Sequence, residues 1–74
     1  MKVLKDGQEI EVNPFEIIEK WQEVMFTTFA IMNLQMNVNA LAIASARLLD
    51  VLEKGHAYEI ASYEAIQEYK KHLK

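Results

Sequence analysis

The chain has 74 residues, 51% of them hydrophobic, and eleven acidic against eight basic side chains leave a net charge of -3. A chain this short makes one domain that buries only about 60% of its unfolded surface, so its core needs a supplement. With no cysteine, disulfides and thiolate metal sites are excluded, which leaves oligomerisation or unusually good helix packing.

The charge balance supplies no general attraction for phosphate backbones or anionic lipid, which disfavours nucleic acid and membrane as partners. Residues Met1 to Gly7 lack the apolar run and small-residue cleavage site of a secretory leader, so a cytoplasmic location is expected. Residues 2 to 12, KVLKDGQEIEV, hold two short β-prone runs around Asp6-Gly7. That dipeptide favours a type I′ turn, in which both central residues need positive φ, and predicts a β-hairpin over 1–13. Ile10 and Val12 alternate with Glu9 and Glu11, so one hairpin face is apolar and needs a helix to rest on.

Asn13-Pro14-Phe15-Glu16 marks a helix start: Asn caps, Pro suits the first helical position, and Glu three residues after the cap reaches back to it. From Phe15 to Lys54 there is neither Gly nor Pro, and Gly55 is a natural terminator. Residues 14–54 are therefore one long helix or a helical hairpin. Asn33, Asn37 and Asn39 compete for backbone hydrogen bonds and favour a break near 37–39. After Gly55, residues 57–73 read as a third helix with Tyr58, Ala61, Ala65, Tyr69 and Leu73 on one stripe. In an alternative reading Ser62 caps a later start and residues 58–60 are extended. The fold class is mainly α, an N-terminal β-hairpin followed by a helical hairpin and a short C-terminal helix.

Val24 to Ala46 is 23 residues without a charge, and three heptad seams run through it and its flanks. One carries Ile17, Trp21, Val24 and Thr28; a second Met25, Phe29, Met32, Met36 and Ile43; a third Ala30, Leu34, Leu41 and Leu48. A helix apolar nearly all round must be covered by protein or by lipid. Two copies of the helical hairpin pairing into a four-helix bundle, with the third helices alongside, would cover it in water. Trp21, Met25, Phe29, Met32, Met36, Ile43 and Leu48 are the expected interface residues, and the partner is a second copy in a homodimer or another helical protein. A membrane span satisfies the length criterion of about 20 residues, but the amides of Asn33, Gln35, Asn37 and Asn39 oppose it.

Chemistry is sparse. Glu53 and His56 have the E-x-x-H spacing of carboxylate-bridged metal sites, but Gly55 between them breaks the shared helical face. The Glu19/Glu23 and Glu64/Glu68 pairs and Glu68/His72 sit among polar neighbours and read as solvated helix faces. No catalytic residue, cofactor site or metal site is assigned, and an enzyme is not expected. The expected function is a noncatalytic, self-associating assembly, scaffold or adaptor component, of a size that suits an accessory protein of a phage or other mobile element. The alternatives are a small dimeric regulator holding nucleic acid through Lys70, Lys71, His72 and Lys74, and a membrane-inserted small protein.

Overall fold

A computed structural model describes residues 1–73, in which an antiparallel β-hairpin precedes three helices. Strands β1 (Lys2–Lys5) and β2 (Gln8–Glu11) pair with Val3 opposite Ile10 and Lys5 opposite Gln8. Asp6 and Gly7 both have positive φ, 52° and 76°, as a two-residue type I′ turn requires. The register puts Val3 and Ile10 on one face; Val3 is buried, while Leu4 and Glu9 on the other face are exposed.

Helix α1 (Pro14–Ile31) starts where the Asn13 side chain accepts the Phe15 N–H at 2.9 Å, with Pro14 in the first position. It ends in a Schellman motif: the Asn33 N–H reaches the Ala30 carbonyl and the Leu34 N–H the Phe29 carbonyl, at 3.1 and 2.8 Å. Asn33 takes the left-handed conformation this demands, φ 56°. Helix α2 (Val38–Glu53) begins with the Asn37 side chain accepting the Ala40 N–H at 2.9 Å. The chain between Phe15 and Lys54 therefore forms two helices, and the break spans 32–37 rather than 37–39. Two asparagines share it, Asn33 ending one helix and Asn37 capping the next, because each suits a different helix terminus.

Gly55, φ 90°, ends α2 in a second Schellman motif, with its own N–H on Leu52 and the His56 N–H on Val51. Helix α3 (Tyr58–Lys71) starts at Tyr58, so residues 58–60 are helical. Ser62 is not a cap; its hydroxyl accepts the Trp21 indole N–H at 3.1 Å. Ala61, Ala65 and Tyr69 are the buried stripe of α3, while Leu73 lies beyond its end and is exposed.

The closest-packed pair is α2 and α3, not α1 and α2. Ala44 on α2 and Ala61 and Ala65 on α3 are completely buried, so the two backbones approach with little side-chain bulk between them. Leu48, Val51 and Leu52 complete that layer, and α1 lays Ile17, Trp21 and Met25 across it. The third helix thus sits at the centre of the core rather than alongside it. The hairpin rests on the start of α3, where the Asp6 N–H donates to Glu59 Oε1 at 2.6 Å and the Lys5 ammonium lies 5.1 Å from the Tyr58 ring centroid. No helix among the described residues is long and apolar enough to cross a membrane.

Candidate contact face

The seven expected interface residues separate into three groups. Trp21, Met25 and Leu48 are buried in the chain's own core, so the folded protein does not offer them to a partner. Phe29 and Met36 are half-buried against that core, and Phe29 meets Tyr69 edge to face with centroids 5.6 Å apart. Met32 and Ile43 lie on the outside. A helix that is apolar on every side presents several equivalent stripes, and only packing against α3 selects the buried one.

Large exposed apolar residues occur outside the uncharged stretch, at Leu4, Phe15, Ile60, Tyr63 and Leu73, and within it. Val24, Phe26, Ile31, Met32, Leu34, Val38 and Ile43 each keep between 42% and 80% of their accessible surface. Five of these seven, all but Met32 and Ile43, were not among the expected interface residues. The missing signal was relational: they are what remains of the stretch once Trp21 and Met25 turn inward.

A hydrogen bond organises this surface. Gln22 Nε2 donates to Ser45 Oγ at 2.9 Å, and that hydroxyl donates to the Leu41 carbonyl at 2.8 Å. The contact ties the Gln22 side of α1 to the Ser45 side of α2. Phe26 and Ala30 of α1 and Val38, Ala42 and Ala46 of α2 are exposed. The exposed amides of Asn33, Gln35 and Asn39 lie at the loop end of this face, where a polar rim belongs.

The other candidates form no constellation. Glu53 and His56 are both exposed and separated by the Gly55 turn. Glu64 pairs with Arg47 at 3.7 Å and Glu68 with His72 at 3.4 Å, while Glu19 and Glu23 are exposed. Asp50 is held below the ordinary aspartate range by its hydrogen bond to the Lys54 ammonium, with Arg47 adding to the effect. Among the described residues no three His, Asp or Glu side chains gather as a metal ligand set. A cleft of about 310 Å³ between β2 and the start of α1 has Ile10, Val12, Ile17 and Tyr58 on its walls, with Lys5, Lys20, Glu11 and Glu16 among its lining. It mixes both signs of charge and holds no Ser, Thr or His, so it sets up no nucleophile and base. Lys70 and Lys71 are exposed in the last turn of α3, where they complement the helix dipole; Lys74 lies outside the described residues.

No protein-family model, no curated protein and no solved structure matches this chain.

Proposed function

We propose that the protein is a noncatalytic assembly, scaffold or adaptor component that works by protein contact through the outer face of α1 and α2. One observation carries the reading: residues 24–46 contain no charge, yet the fold leaves seven of their large apolar side chains at least 42% exposed. Large apolar side chains left exposed in such number within one uncharged stretch support an interaction role, since contiguous apolar patches mark interaction sites. Aromatic and methionine side chains, here Phe26 and Met32, are enriched where proteins meet.

Size fractionation of the tagged chain, in extracts of cells that make it, tests the reading whatever the partner. The wild type should travel in a species heavier than one chain. Phe26→Asp and Val38→Asp place a charge on the face at exposed positions, where the fold tolerates it, and should return the chain to single-chain mass. A wild type already at single-chain mass throughout the micromolar range contradicts the proposal.

A further inference from the structure

Beyond that contact reading, we infer that the loop joining α1 to α2 docks peripherally on an anionic lipid surface, with the last turn of α3 alongside it. The first argument is local composition. Ile31, Met32, Leu34 and Val38 fall between positions 31 and 38, and each keeps 50% or more of its accessible surface. The polar residues among them, Asn33, Gln35 and Asn37, carry amides and no charge. The nearest charges on the two helices, Glu23 and Arg47, lie about 12 and 14 Å along the axes from Ile31 and Val38. A surface-bound helical element sinks about 5–10 Å into the headgroup boundary, so the loop enters to that depth before either charge meets it. Side chains around a loop end need not share one face, because fluid lipid closes round whatever enters it. A membrane span would carry the amides into hydrocarbon, whereas a docked loop leaves them among the headgroups, in reach of water.

The second argument is charge. A net charge of -3 opposes a general attraction to anionic lipid, but the charge is unevenly placed. The Tyr69 hydroxyl accepts the Asn37 N–H at 3.0 Å and its ring meets Phe29 edge to face, so the end of α3 is fastened beside the loop. Lys70 and Lys71 follow directly, both exposed. Glu68, the acidic residue nearest them on α3, lies 3.4 Å from the His72 imidazole. The hairpin, which carries Asp6, Glu9 and Glu11, rests on the opposite end of α3. Apolar side chains at a tip with lysines at its edge hold a peripheral protein on anionic lipid, where each lysine near the surface contributes about fivefold in affinity.

The test sediments the purified full chain with vesicles of phosphatidylcholine alone, and of phosphatidylcholine with phosphatidylserine in two-to-one proportion. The wild type should sediment with the mixed vesicles and bind phosphatidylcholine alone far more weakly, and added salt should narrow the difference. Lys70→Gln together with Lys71→Gln should weaken binding to the mixed vesicles about thirtyfold. Met32→Asp and Leu34→Asp should each weaken it tenfold or more, with helix content unchanged because both positions are exposed. Undiminished sedimentation of those two variants would show adsorption without insertion and overturn the inference. Equal binding of the wild type to both vesicles would overturn it as well. So would a wild type left in the supernatant, a result that leaves the protein-contact reading standing, since size fractionation tests that separately.

Discussion

The Trp21 indole N–H donates to the Ser62 hydroxyl at 3.1 Å, so the largest side chain in the core also ties α1 to α3 across 41 positions of sequence. Cutting Trp21 to Ala removes a fully buried ring and should cost about 3–5 kcal/mol. Ser62→Ala removes only the acceptor and should cost about 1 kcal/mol. Urea unfolding at fixed protein concentration would show both as shifts of midpoint with an unchanged slope.

Tyr69 does a comparable job at the other end of α3. Its hydroxyl accepts the Asn37 N–H at 3.0 Å, while the Asn37 side chain caps α2. Tyr69→Phe leaves a partly buried N–H without its partner and should cost about 1–2 kcal/mol. Asn37→Ala should cost about 1 kcal/mol through the lost cap. Both act on one turn, so the double variant should lose less than the sum. Hydrogen exchange at the Ala40 amide would quicken in each.

Gly7 and Asn33 both hold positive φ, and their substitutions should move stability in opposite directions. A Cβ at Gly7 meets nothing within 4 Å, so Gly7→Ala should cost about 1 kcal/mol from backbone conformation alone. Asn33→Gly relieves the left-handed strain at the end of α1 and should be neutral or stabilising by a few tenths of a kcal/mol. Thermal melts of the two variants against wild type give the signs.

Acid should loosen the hairpin from α3. Glu59 is held below the ordinary glutamate range, first by accepting the Asp6 N–H and further by its own backbone N–H. A depressed folded-state pKa stabilises fully above the unfolded glutamate's value and loses that contribution as pH falls through the folded one. The Asp6 amide resonance should therefore titrate in acid with an apparent pKa below that of an ordinary glutamate. In Glu59→Gln that titration should vanish. The Tyr58 phenol beside it is pushed up, mainly by burial, and stays neutral throughout.

Where local chemistry is decisive, the sequence was readable. Asp6-Gly7 dictates a turn because few residues accept two consecutive positive φ values. Asn13-Pro14 and Gly55 bound helices because capping and left-handed conformations belong to particular side chains. The break between α1 and α2 was visible in its asparagines but misplaced, since each of them suits either a helix end or a helix start. The exposed apolar positions were legible only as a region: Met32 and Ile43 are outside, whereas Trp21, Met25 and Leu48 are inside.

The amino-acid sequence by itself determined a hairpin followed by helices, and an uncharged stretch from Val24 to Ala46 with more apolar surface than one stripe can hold. Tertiary structure alone decided which stripe is core. Ala44, Ala61 and Ala65 let α2 and α3 close together, Trp21 follows them inward to reach Ser62, and Phe26, Val38 and Ile43 are left facing out. The physical reason is degeneracy: a period of 3.6 residues identifies a buried face only when the opposite face is polar, and here neither side is.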